Sequence, residues 1–170
     1  MGVTMNYSAQ LPDLAATENF ALAVANQLQA GDVIILTGEL GAGKTTFTQG
    51  LARGLGITAA ITSPTFVLAR HHTHPADGLN LVHVDAYRMS GEDELASLDL
   101  ETALEDSVVV VEWGRGTAEA LTDAYLDIEL QRPGAVTDEL VTDFSDDDVE
   151  ESRTVLVTGY GPRWEGSSLA

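Results

Sequence analysis

Eight residues carry the clearest chemistry in this chain. Gly38-Glu39-Leu40-Gly41-Ala42-Gly43-Lys44-Thr45 fits the spacing G-x-x-x-x-G-K-[ST] at every fixed position. Each fixed residue has a physical reason to be there. Glycines let the backbone curl until several N–H groups point inward at phosphate oxygens. A helix opening after Lys44 aims the positive end of its dipole at the same place. The lysine ammonium reaches the β- and γ-phosphates as a compact charge, which a planar guanidinium does not match in shape. The Thr45 hydroxyl is placed to hold Mg²⁺. The segment is expected to bind a nucleoside triphosphate, with ATP as the first choice.

Such a loop needs acidic groups near the metal and the attacking water. In an open parallel sheet these sit at the carboxyl ends of neighbouring strands. Glu112 follows the apolar run Val108–Val111, and Asp85 follows Leu81-Val82-His83-Val84. Either acid could hold the ion or orient water, and spacing alone does not say which one touches the metal. Arg88 follows Asp85 closely and is either a phosphate ligand or an ion-pair partner. Trp113 reads as a packing residue beside the site. His71-His72-x-His74 reads as the polar tip of a hairpin rather than a metal site, because no further acid or cysteine completes a ligand set nearby.

The elements that must position these groups are legible in the pattern. Apolar spacing from about Ala15 to Gln29 predicts a helix, with Asp13 or Thr17 to cap its start and Gly31-Asp32 to end it. Val33-Ile34-Ile35-Leu36 is a continuous apolar run, as a strand buried on both faces requires. Thr45–Leu55 predicts the next helix, ending at Gly54 or Gly56. Strands are expected from Phe66 to about His71 and from Leu79 to Asp85, joined around Pro75–Gly78 as an antiparallel hairpin. Ser90-Gly91-Glu92-Asp93 matches a capping box before a helical stretch ending near Leu104. Val108–Val111 is a second fully buried strand, and Tyr125–Leu130 and Thr154–Val157 alternate as half-buried strands. An acidic stretch near 136–152 reads as a solvated, mobile loop.

The 170 residues give room for one domain with a core, and the 44% hydrophobic content is that of a globular chain. The net charge of −19 argues against unaided binding to nucleic acid or to anionic membranes. There are no cysteines, so disulfides, zinc thiolates and thiol catalysis are excluded. No signal peptide and no bilayer-length apolar segment are seen, and a soluble cytoplasmic protein is expected. Lys44 is the only lysine. A GTPase typically selects guanine with an Asn-Lys-x-Asp element, and that element cannot exist here.

Taken together, the motifs resemble those of the bacterial ATPase family TsaE, also called YjeE. The matching pieces are residues 38–47, Ser63-Pro64-Thr65-Phe66, His83-Val84-Asp85-Ala86-Tyr87-Arg88 and Val110-Val111-Glu112-Trp113. Their order and approximate spacing agree from about Leu11 to Arg115. The resemblance implies a single α/β domain with the P-loop NTPase fold. Its central sheet would be mixed and mostly parallel, with added antiparallel strands and helices on both faces. It implies ATP and Mg²⁺ as ligands, with nucleotide contacts from Glu39, Leu40, Gly41, Ala42, Gly43, Lys44, Thr45, Thr46 and Arg153. Thr45 and Glu112 would hold the metal, and Asp85 together with Lys44 would serve hydrolysis. Ser63–Phe66 resembles a switch-like loop beside the γ-phosphate. The family acts in making threonylcarbamoyladenosine in tRNA. It does not transfer the group itself; it binds a heterodimer of two related subunits, without strong direct tRNA binding. The weighed alternatives are a P-loop kinase for a small metabolite and a nucleotide-dependent binding module with little hydrolysis.

Overall fold

The computed structural model describes residues 2–39, 42–58, 69–76, 78–86, 100–116, 118–132 and 152–167. Seven strands and three α-helices appear among them. In chain order they are β1 (Val3–Leu11), α1 (Leu14–Ala25), β2 (Val33–Gly38), α2 (Lys44–Gly54), β3 (Ala69–His72), β4 (Asn80–Asp85), α3 (Leu100–Ala103), β5 (Ser107–Glu112), β6 (Tyr125–Gln131) and β7 (Arg153–Tyr160). Short 3₁₀ turns cover Ala118–Leu121 and Pro162–Trp164.

The strands form one sheet in the order β1-β7-β6-β2-β5-β4-β3. The central four, β6-β2-β5-β4, are parallel, and the three outer ones join antiparallel. The fold is therefore α/β with a mixed sheet, mostly parallel in its centre. Burial explains the apolar runs. Every residue of Val33–Leu36 and Val108–Val111 is fully buried, because the sheet is covered on both faces. One apolar layer joins α1 and α2 to alternate strand residues, including Phe20, Val24, Phe47, Leu51, Ile34 and Leu36. The other places Leu100, with Ala103 and Leu104, against Val33, Ile35, Val109 and Val111.

The predicted hairpin is present. β3 and β4 pair antiparallel with Ala69 opposite Val84, and residues 66–68 lie outside the described residues. His71 and His72 belong to the strand itself rather than to the tip, with His72 buried and His71 exposed. The helix expected to run to Gln29 stops at Ala25. Beyond it Gln27 N–H donates to the Val24 carbonyl and Leu28 N–H to that of Ala25, tighter bonds that end an α-helix. Gln29 N–H then goes to the Asp32 carboxylate. At the other end, Asp13 is the cap and accepts from Ala16 N–H at 2.8 Å. β1 was not anticipated; it pairs with β7 along its length. The capping box at 90–93 and the acidic stretch, apart from Ser152, lie outside the described residues.

An aromatic chain ties the site's helix to the sheet edge. Tyr7 of β1 stacks on Phe20 of α1 at 6.0 Å, and Phe20 meets Phe47 of α2 at 5.9 Å. The two helices touch through small residues. A Cβ on Gly54 would lie 2.6 Å from the Ala25 Cβ, and one on Gly50 2.9 Å from the Ala21 Cβ. Gly54→Val is expected to lower unfolding stability by about 1–3 kcal/mol through overpacking, read by urea denaturation. An undiminished midpoint would show that the helices can part without cost.

Candidate functional site

The parallel strands β2, β4, β5 and β6 all end on one side of the sheet, and that side holds the site. Register fixes the heights. Leu36 of β2 is opposite Glu112 of β5, and Glu112 is opposite Asp85 of β4. β7 runs antiparallel to β6, so its first residue, Arg153, is delivered to the same end. Residues more than a hundred positions apart therefore converge beside Gly43.

The loop leaves β2 at Gly38. A Cβ there would lie 2.9 Å from the Leu130 carbonyl oxygen and 3.0 Å from the Ala42 Cβ, so no larger residue fits. Ala42 N–H donates to the Glu39 carbonyl at 2.9 Å, which closes the turn. Gly43 caps α2 with φ of 100°, a left-handed conformation natural to glycine. Helix α2 starts at Lys44, and Phe47 N–H already donates back to the Gly43 carbonyl. The free N–H groups of a helix start thus face the loop. Thr45 and Thr46 are half-buried in this first turn, and Glu39 is exposed. Leu40 and Gly41 lie outside the described residues.

Lys44 folds back into a polar node. Its Nζ donates to the Gly38 carbonyl at 2.6 Å, stands 3.9 Å from Glu112 Oε1, and lies 4.2 Å from the centre of the Trp113 ring. Burial pulls its pKa below the usual lysine range, while the negative charges of Glu112 and Asp85 oppose that shift. Both acids expected at the strand ends therefore act on the lysine. Trp113 does more than pack. Its face meets the ammonium, and its backbone is left-handed with φ of 60°. Its N–H donates to the Leu36 carbonyl at 3.0 Å, while Ala86 N–H donates to the Glu112 carbonyl at 2.9 Å. These two bonds tie the ends of β2, β5 and β4 together.

Arg153 is buried and donates from Nε to the Ala42 carbonyl at 3.1 Å, bracing the loop from the opposite side to Glu112. The sequence had left one partner unassigned. His83 is fully buried, and its Nε2 lies 2.5 Å from Glu112 Oε2. Strand alternation was the available signal, since His83 stands two residues before Asp85 and so shares its face. Arg88 and Ser63–Phe66 lie outside the described residues.

A divalent ion was implied by the loop, and the donors suit one. The buried Glu112 carboxylate faces the loop with Oε1, and Thr45 stands in the adjoining helical turn. Among the described residues no group of three or more His, Asp or Glu side chains is arranged to hold an ion unaided. Thr45 and Glu112 would give such an ion two protein ligands, with phosphate and water to complete its shell, as is usual for Mg²⁺.

The family model described as "Threonylcarbamoyl adenosine biosynthesis protein TsaE" matches residues 11–139. The chain belongs to the TsaE family. It is 51% identical over 148 residues to the tRNA threonylcarbamoyladenosine biosynthesis protein TsaE of Streptomyces coelicolor, covering 86% of this chain and 93% of that one. The Bacillus subtilis protein of the same name is 38% identical over 150 residues, covering 88% and 83%. The crystal structure of Bacillus subtilis YdiB superposes with a TM-score of 0.71 at 31% identity, covering 97% of this chain and 93% of that one. The TsaE resemblance read from the motifs is thereby established, and with it the P-loop fold. Arg153 lies beyond the segment that the family model matches.

If Arg153 braces the loop, Arg153→Met will weaken nucleotide binding about tenfold or more, the scale of one charge-assisted bond. Calorimetric titration of the folded variant tests this, and wild-type affinity would remove Arg153 from the site.

Proposed function

We propose that the chain is an ATP-binding and hydrolysing subunit that supports threonylcarbamoyladenosine modification of tRNA through a partner complex, and that it is not the transferase itself. The single observation behind this is the meeting of Lys44, Glu112 and Asp85 at the start of α2. Family membership and the names of its relatives add the tRNA context. In this reading the loop from Glu39 to Thr46 cradles the phosphates with its N–H groups and the α2 dipole. Lys44 leaves the Gly38 carbonyl to meet the β- and γ-phosphates. Thr45 and Glu112 hold Mg²⁺, which when bound neutralises phosphate charge. Asp85 orients the attacking water, and Arg153 keeps the loop in shape.

The net charge of −19 favours docking on protein over direct contact with RNA. The proposed partner is the heterodimer of two related subunits that the family resemblance implies. Turnover by the isolated chain is expected to fall well below the roughly 10 s⁻¹ of a typical enzyme. Rapid hydrolysis without partners would contradict this. Lys44→Ala should weaken ATP binding by about 100-fold or more, because a buried ionic partner is lost. Unchanged affinity would sink the phosphate-loop assignment. A pull-down of the two partner subunits, with and without ATP, tests the biological half of the proposal. A complex that responds to nucleotide is expected. Its absence, with γ-phosphate transfer to a small acceptor, would favour a metabolite kinase instead.

A further inference from the structure

The Glu112 carboxylate has two oxygens with different surroundings. Oε1 faces the loop, 3.9 Å from Lys44 Nζ, whereas Oε2 is held by His83 Nε2 at 2.5 Å. The histidine lies on β4 opposite Val110, two residues before Glu112 on the neighbouring strand, so it reaches Oε2 along the diagonal of one sheet face. It is fully buried, and among the described residues its Nδ1 has no hydrogen-bond partner. A proton on Nδ1 would be a buried donor with nothing to bind, so the ring carries its proton on Nε2 and donates it to Oε2. Backbone bonds from Trp113 N–H to Leu36 and from Ala86 N–H to the Glu112 carbonyl fix where the side chain starts, and the bond from His83 fixes how its carboxylate is turned.

From this geometry we infer that His83 is a positioning residue for metal binding. It occupies Oε2, leaves only Oε1 for an ion, and so favours Mg²⁺ over Ca²⁺. The chemistry follows from the two ions. Mg²⁺ demands near-ideal octahedral geometry and usually takes one oxygen per carboxylate, while Ca²⁺ accepts both oxygens in a looser shell. A carboxylate with one oxygen occupied serves the first and restricts the second. Removing a group that holds a metal ligand in place typically costs about 10–100-fold in metal affinity. The inference rests on the proposed role of Glu112 as a metal ligand.

The test is calorimetric titration of the full chain with a non-hydrolysable ATP analogue at increasing Mg²⁺ or Ca²⁺. His83→Met keeps the volume and removes the donor, and His83→Gln returns an amide donor near the position of Nε2. In His83→Met the Mg²⁺ concentration for half-maximal analogue binding should rise about 10–100-fold. The Ca²⁺ value should move by about threefold or less, since a freed second oxygen compensates. His83→Gln should retain most of the wild-type preference. If His83→Met does not fold, His83→Asn replaces it, because its amide ends short of Oε2, and the same loss is expected. A wild-type ratio of Mg²⁺ to Ca²⁺ response in the donor-free variant would overturn the inference. A wild-type protein whose analogue binding ignores both metals would instead overturn the reading of Glu112.

Discussion

The parallel pairing of β2 with β5 is the constraint on which the site depends. It sets Leu36 beside Glu112, and continued pairing sets Glu112 beside Asp85. Side chains alternate between faces along a strand, so a slip of one residue would send Glu112 to the opposite face from His83. Val108 and Val110 lie in one apolar layer and Val109 and Val111 in the other, so burial of the valines alone would tolerate a slip, and the polar end of the strand must set the register. The bonds from Trp113 N–H to Leu36 and from Ala86 N–H to Glu112 close the register at the strand ends.

Outside that frame, the chain's two ends supply the bracing. β1 and β7 pair with each other, and β7 delivers Arg153 to the Ala42 carbonyl. Tyr7 of β1 begins the aromatic contacts that reach Phe47, one turn into α2. At the opposite side of the sheet, Arg163 bridges to Asp32 at 3.1 Å and donates to the Gln27 carbonyl, while lying over the Trp164 ring at 4.2 Å. The turn between α1 and β2 is thus held by the C-terminal segment, and β2 in turn carries the loop. Local sequence makes the loop, but distant sequence fixes where it points.

This division explains what could be read in advance. Val33–Leu36 and Val108–Val111 announced themselves because a strand buried on both faces has no polar residues to disguise it. The phosphate loop was legible because its glycines and lysine have few substitutes. β1 was not, since VTMNYSAQL mixes small polar residues with a half-covered face and only pairing with β7 makes it a strand. The end of α1 was overrun because Leu28 keeps the apolar rhythm and is buried, though its backbone has already left the helix. His83 was quoted in a motif yet given no task, because its role depends on a cross-strand neighbour that spacing along one strand cannot supply.

Electrostatics sets the last condition on the site. Lys44 is a partly buried cation in a chain of net charge −19, and burial alone would favour losing its proton. Glu112 and Asp85 keep the ammonium worth carrying, and the Gly38 carbonyl and the Trp113 face replace its water. The same two carboxylates oppose a polyanionic phosphate chain approaching the lysine. Their repulsion is strongest where water is excluded, since Coulomb energies grow as the effective dielectric falls. Loop N–H groups and one ammonium must overcome it unless another cation arrives with the phosphates. Mg²⁺ held by Thr45 and Glu112, as proposed, would supply that cation, and Glu112 would then serve it as a ligand instead of opposing the phosphates alone.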